Sequence, residues 1–253
     1  MLDKYYTKPH IAEMCVDILK KHIDLDSYYV IEPSAGNGSF LPYLPESTLA
    51  LDIQPDNEYI IEMDFFDLKT NNIKKDIICV GNPPFGKNSS LALKFINHAA
   101  LFSKYIAFIL PRTFSKESMI NKLHNNLFIV EESILPEDSF IGVEVTCNFY
   151  IFKKELKIRN KIVSTVTTKD FSFVTDTPDF LIRRVGALSG KVLTEIGYSK
   201  QSNYYIKANI NKEELIERLT SLFSELQEVA KNTVSNPSLS KTELISIYTK
   251  KFN

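Results

Sequence analysis

A mixed α/β sheet with helices on both faces, followed by a smaller α+β appendage, is the fold this sequence predicts. Three observations carry it. Short apolar runs alternate with helical patterns through the first 154 residues, which argues for a layered sheet. The last two runs of that stretch, 127–136 and 143–154, have no helix between them, so they pair as an antiparallel edge hairpin. After Lys154 a charged connector, "ELKIRNK", leads into shorter strand-like pieces and three helices. The domain boundary is therefore placed there, giving units 1–154 and 155–253.

Each element follows from its local pattern. Ile11, Met14, Cys15, Ile18 and Leu19 recur at helical spacing in 10–23. The segment "YYVIEPSAGNGSFLPYL" reads as a strand, a glycine-containing turn and a short helix cut by Pro42. Strands are expected at 49–53, 59–66 and 76–82, then an amphipathic helix at 90–102 whose start Lys87–Ser90 would cap. A buried strand at 104–111 ends at Pro111, and a helix follows at 115–126. In the appendage, "IVSTVTT", "DFSFV" and "NYYIKANI" read as strand-like, and 190–196 as a helix. A longer helix starts near Asn211 with acidic residues in its first turn, and a last one covers 238–251.

Composition narrows the function classes. The chain has 253 residues and a net charge of −1. Residues 1–154 hold 15 Lys/Arg against 20 Asp/Glu, and residues 155–253 hold 15 against 11. The second half is the better candidate to face a polyanion, but a strongly basic non-specific binder is not indicated. Lys153, Lys154, Lys157, Arg159, Lys161, Arg183 and Arg184 are the candidate phosphate contacts. Three scattered cysteines and four scattered histidines form no ligand-spaced cluster, so no metal site is expected. No apolar run reaches membrane-spanning length, and an intracellular protein, cytoplasmic in its own cell or in a host, is expected.

Four of the eight glycines sit in two short stretches after strands, Gly36 and Gly38 in "EPSAGNGSF" and Gly81 and Gly86 in "GNPPFG". The first lets the backbone turn sharply and approach a ligand. Position 41 is Leu rather than the third glycine of a dinucleotide cradle. Glu32 at the strand end is placed to accept a ligand ammonium. Asp52 ends the next strand, where a carboxylate suits two ribose hydroxyls. Asp64 and Phe65 end the third, an acid and an aromatic suited to an exocyclic amine and a base face. In "GNPPFG", two prolines remove two donors and fix two φ angles. The result is a stiff bracket that presents one amide and one or two carbonyls.

These motifs, in this order, resemble the S-adenosylmethionine-dependent methyltransferases that modify the exocyclic amine of adenine, in the gamma arrangement. The resemblance covers about residues 4–154. It implies a class I methyltransferase (Rossmann-like) mixed sheet with an antiparallel edge hairpin. "YYTKP" is similar to the family's leading F/Y-T-P segment, with Lys8 intervening, which implies that Tyr6 and Thr7 line the methionine end of the cofactor. "EPSAGNGSF" matches the D/E-P-x-x-G-x-G-x-F motif and implies cofactor contacts from Glu32, Pro33, Ala35, Gly36 and Gly38. Asp52 with Ile53 matches the ribose-binding position, and Asp64–Phe65 the adenine position. "NPPF", Asn82, Pro83, Pro84 and Phe85, matches the catalytic motif. Phe140 in "DSFIGVEVTCNFYIF" is the match to an aromatic that stacks on the target base, with Phe149 second.

The chemistry suits the residue types. The amine of adenine is a poor nucleophile because its lone pair is delocalised into the ring. Hydrogen bonds from its two N–H groups to the Asn82 oxygen and the Pro83 carbonyl would draw it toward tetrahedral geometry. Phe85 and Phe140 would hold the two faces of the base, which in a duplex must first be flipped out. The expectation is adenine-N6 methylation of DNA, as in restriction–modification, with S-adenosylmethionine as cofactor and room for a partner protein. The alternatives are adenosine in RNA, a glutamine amide in protein, and a non-catalytic cofactor-binding subunit.

Overall fold

The structure is a computed structural model and describes residues 5–163, 165–233 and 236–252. The chain divides into two compact units, Met1–Lys161 and Ile162–Asn253. The connector after residue 154 stays with the first unit for a local reason. Glu155 N–H donates to the Asn126 carbonyl, Arg159 N–H to the Asn125 carbonyl, and the Arg159 guanidinium to the Ile120 carbonyl at 2.7 Å.

In the first unit, α1 (Pro9–Lys20) opens on Pro9, where a missing N–H breaks no helical bond, and buries Ile11, Ala12, Cys15, Val16 and Leu19 along one stripe. Strands β1 (Tyr29–Glu32), β2 (Leu49–Asp52), β3 (Ile61–Glu62), β4 (Ile77–Gly81) and β5 (Ser103–Pro111) run parallel as neighbours in the order β3-β2-β1-β4-β5. Helix α2 (Ser90–Phe102) connects β4 to β5 and buries Phe95, Ile96 and three alanines. A short helix α3 (Glu117–Ile120) precedes β6 (Leu127–Ile134) and β7 (Cys147–Lys154). Strand β7 lies between β5 and β6, antiparallel to both, which completes seven strands in the order β3-β2-β1-β4-β5-β7-β6. The parallel sheet and the antiparallel edge hairpin are as the sequence predicts, and the arrangement is the class I methyltransferase fold. Strand β4 is buried at every position, as expected of a central parallel strand covered on both faces.

Two elements of this unit are shorter than expected. The helix at 115–126 reduces to a 3₁₀ turn (Arg112–Ser115) and the four residues of α3. Asn97 takes over the rest: its amide donates to the Lys122 carbonyl and its oxygen accepts from His124 N–H. The strand at 59–66 reduces to β3, because the Asp64 carboxylate accepts from Phe66 N–H at 2.9 Å and turns Phe65–Asp67 into a 3₁₀ turn.

The second unit holds a four-stranded antiparallel sheet of β8 (Phe171–Phe173), β9 (Phe180–Arg183), β10 (Val192–Leu193) and β11 (Asn203–Ala208), in the order β10-β9-β11-β8. Helices α4 (Lys212–Ser221), α5 (Phe223–Ala230) and α6 (Lys241–Phe252) supply Leu215, Leu219, Leu226, Leu244 and Tyr248 to its core. The helix expected at 190–196 is instead β10, recruited by pairing Val192 with Ile182. Strand β9 went unread because its apolar run, Phe180–Ile182, is only three residues long. The strand-like piece 162–168 forms no strand in its described residues, and Ser164 lies outside them. The long helix breaks at Leu222. The Asn211 side chain caps α4 by accepting from Glu214 N–H, as its position at the helix start predicts.

Candidate active site

The carboxyl ends of β1, β2 and β4 open on a cleft of about 220 Å³, more than ten times the roughly 10–15 Å³ that one water needs. Tyr6, Thr7, Glu32, Pro33, Ala35, Gly36, Asp52, Ile53, Asp64, Phe65, Asn82, Pro83 and Pro84 line it. Residues chosen from five separate stretches of sequence thus meet at one place. Gly38, Phe85 and Phe140 are not part of this lining.

The turn after β1 is held by backbone and carboxylate together. Gly36 has φ +56°, and a Cβ there would lie 3.3 Å from the Tyr6 ring. The Gly36 N–H donates to one Asp52 oxygen at 2.8 Å, and Gln54 N–H to the other at 2.8 Å. Asp52 therefore ties the glycine turn to β2, and each of its oxygens keeps a second lone pair. The Tyr6 hydroxyl donates to the Asp56 carboxylate.

Glu32 is only 1% exposed, and its Oε2 has no hydrogen-bond partner. Burial first, and then the Asp52 charge, hold its carboxyl well above the ordinary 4.5. Gly81 makes room for it: with φ +144°, a Cβ there would come within 3.2 Å of Glu32 Cγ.

Asn82 follows Gly81 directly. Its Nδ2 donates to the Tyr5 carbonyl at 2.8 Å and to Thr7 Oγ1 at 3.2 Å. A carbonyl only accepts, so the nitrogen must face Tyr5 and the oxygen must face the other way. That oxygen, Oδ1, is buried and unpartnered. The Ser34 hydroxyl donates to the Asn82 main-chain carbonyl at 3.2 Å and links the two motif turns.

Beyond the prolines, the Phe85 carbonyl accepts from Leu91 and Ala92 N–H at 3.1 and 3.2 Å. This caps α2 in place of the serine side chains expected to do so, and Ser89 makes no side-chain cap. Its hydroxyl instead meets Thr113 Oγ1 at 3.0 Å. Asn88 and Ser89 both hold positive φ, 54° and 60°, so the turn after the bracket stores backbone strain beside the cleft.

The aromatic residues differ from the sequence reading in two ways. Phe85 and Phe140 are both buried, and their rings meet edge to face, 6.3 Å apart at 82°. They do not stand as two parallel walls. Tyr5, unread as a site residue, packs against both, 5.3 Å from Phe85 and 6.1 Å from Phe140. Phe65 is buried too, stacked on Phe95 at 5.2 Å. Its neighbour Phe66, 37% exposed, lines the cleft as well. The signal for both missed residues was a doubled aromatic, "YY" and "FF", of which only one member had been assigned.

The segment 5–9 reaches the site by pairing. Thr7 bridges Phe140, Lys8 N–H donates to the Ser139 carbonyl and Ile141 N–H to the Tyr6 carbonyl. The intervening Lys8 has a use in this arrangement: its ammonium pairs with Asp138 at 2.9 Å, an exposed contact that water screens.

The candidate phosphate contacts are largely engaged within the chain. Lys153 pairs with Glu155, Lys154 donates to the Leu101 carbonyl, and Lys157 lies over Phe128. Arg183 donates to the Val185 carbonyl and Arg184 lies over the Tyr204 ring. Among the described residues, no group of three or more His, Cys, Asp or Glu could hold a metal ion, and no helix is long and apolar enough to cross a membrane.

No family model matches the chain, and no curated protein matches its sequence. Solved structures do resemble it. The type I restriction enzyme EcoKI M protein aligns over 60% of this chain and 44% of its own, with 18% identity and a TM-score of 0.47. A Listeria monocytogenes protein assigned to the class I S-adenosylmethionine-dependent methyltransferases aligns over 62% and 64%, with 16% identity and a TM-score of 0.46. A Pyrococcus horikoshii protein assigned as an RNA methyltransferase aligns over 60% and 87%, with 17% identity and a TM-score of 0.45. The chain thus spans less than two thirds of the first two proteins. Likeness at these identities and TM-scores carries no argument about chemistry, which is read from the side chains of the cleft.

Proposed function

We propose that this protein transfers a methyl group from S-adenosylmethionine to the exocyclic N6 of adenine in DNA. The observation that carries the reading is the Asn82 amide. Its two hydrogens are engaged by Tyr5 and Thr7, which leaves a buried oxygen with no partner at the end of a diproline bracket. An unmade bond of this kind disfavours the fold by about 1–3 kcal/mol, and a donor brought by a substrate would relieve it.

The cleft residues fit the cofactor by type. Glu32 offers an unpartnered carboxylate oxygen to an ammonium, Gly36 permits close backbone approach, Asp52 keeps lone pairs for ribose hydroxyls, and Asp64 with Phe66 suits an adenine edge and face. When bound, S-adenosylmethionine supplies an electrophilic methyl on a sulfonium sulfur. Asn82 Oδ1 and the Pro83 carbonyl accept from the two N–H groups of the target amine and withdraw its lone pair from the ring. Pro83 and Pro84 hold those acceptors in place without reorganisation. No strong base is required, because the nitrogen becomes acidic as it becomes cationic. Since Oδ1 is buried, the side chains around it must move to admit a base, and Phe85 and Phe140 then serve as its walls. The second unit is proposed as a nucleic-acid or partner contact.

Mass spectrometry of nucleosides from DNA and RNA, each incubated with pure protein and cofactor, tests this. N6-methyladenine confined to DNA is expected. Methylation confined to RNA would move the reading to adenosine in RNA, and no methylated nucleoside in either would reject it.

A further inference from the structure

We infer that Thr7 is a positioning residue for Asn82, and that its hydroxyl acts on the amide rather than chiefly on the cofactor. This rests on the reading above. Thr7 is 3% exposed, and its Oγ1 accepts from Asn82 Nδ2 at 3.2 Å. The Tyr5 carbonyl takes the other amide hydrogen at 2.8 Å. One acceptor alone would leave the amide plane free to rock about its terminal torsion, which is broad. Two acceptors at different angles fix the plane, and with it the direction of Oδ1.

The placement of Thr7 is itself over-determined. It bridges Phe140 in an antiparallel pair, with Lys8 N–H bonded to Ser139 and Ile141 N–H bonded to Tyr6 on either side. Thus the segment that contacts the cleft from the start of the chain is tied to the segment that carries the proposed base wall. A hydroxyl that accepts from Asn82 still has its own hydrogen to donate. Thr7 can therefore hold the amide and touch a bound ligand together, and the two roles separate by measurement.

Thr7→Val keeps the shape and removes the hydroxyl; Thr7→Ser restores it. Turnover under saturating cofactor is expected to fall about tenfold to a hundredfold in Thr7→Val, the scale of a misplaced reacting group. The dissociation constant for cofactor, read by calorimetry, should stay within about threefold, and Thr7→Ser should recover most of the turnover. A loss of cofactor affinity as large as the loss of turnover, or no loss of turnover, would overturn the inference.

A second readout does not depend on activity. The side-chain amide of Asn82 is identified in a nitrogen-15 spectrum by its absence in Asn82→Ala. In Thr7→Val one of its two hydrogens should exchange with solvent about tenfold faster or more. Unchanged exchange would refute the positioning role even if the protein methylates nothing. Faster exchange in a protein without transferase activity would uphold the geometry and reject the proposed reaction.

Discussion

Two glutamates of one sheet stand in opposite circumstances. Glu132 lies on the exposed outer strand β6, yet it accepts hydrogen bonds from Ser115 Oγ, from Asn148 Nδ2 at 2.8 Å and from Tyr150 Oη at 3.0 Å. Glu32 ends the central strand β1, is almost wholly buried, and has an unpartnered oxygen. Folding alone would set the donors where desolvation is greatest. The reverse distribution leaves Glu132 satisfied within the edge hairpin, where Asn148 Oδ1 is the atom left buried without a partner. It marks the cleft as a structure that lacks donors the chain does not supply.

Three substitutions break or sharpen this contrast. The largest effect is expected from Asn82→Ala, which removes the second unpartnered acceptor of the cleft. Turnover should fall about 10²- to 10³-fold, the usual loss for one preorganised polar contact, while cofactor binding survives. Retained turnover in a methyl-transfer assay would sink the assigned role.

Glu32→Gln comes next and should separate stability from function. The raised carboxyl binds a proton in the folded chain at pH values where the unfolded chain has released it. Its contribution to stability therefore falls as pH rises from about 4.5 through the raised folded value. The amide is free of that dependence. At pH 7 the variant should be more stable by about 1–3 kcal/mol, a melting temperature higher by a few degrees. Near pH 4 and below, the two proteins should melt together. Cofactor affinity at pH 7 should fall in the variant. Equal melting temperatures at pH 7 would mean that the carboxylate is not strained.

The smallest effect belongs to the edge hairpin. Tyr150→Phe removes one of the three donors to Glu132 and a hydroxyl whose ionisation burial pushes up. A loss of about 1 kcal/mol in urea unfolding is expected, with turnover unchanged. A large loss of turnover would place the hairpin network inside the catalytic machinery and erase the contrast.

Much of the architecture was legible because its signals are local. Apolar periodicity set α1, α2 and most of the first sheet, and the missing helix between two late runs set the antiparallel hairpin. Turn chemistry marked "EPSAGNGSF" and "GNPPFG" as ligand-facing. What failed was also local in cause. Strand β10 has only two residues, and a pattern that short carries no period. Phe65 and Phe66 are adjacent and both line the cleft, so only their burial distinguishes the core ring from the more exposed one.

The sequence by itself determined the strands of the first sheet, the glycine turns and the stiff diproline bracket, since each depends on neighbouring residues and fixed backbone torsions. Only the tertiary structure decided which way the Asn82 amide points. That direction depends on a carbonyl 77 residues away and a hydroxyl 75 residues away in the chain. It also decided that Phe85 and Phe140 meet at an edge with Tyr5 against both. Hydrogen bonds and ring contacts act over a few ångströms, and no local pattern says which distant backbone will arrive within that reach.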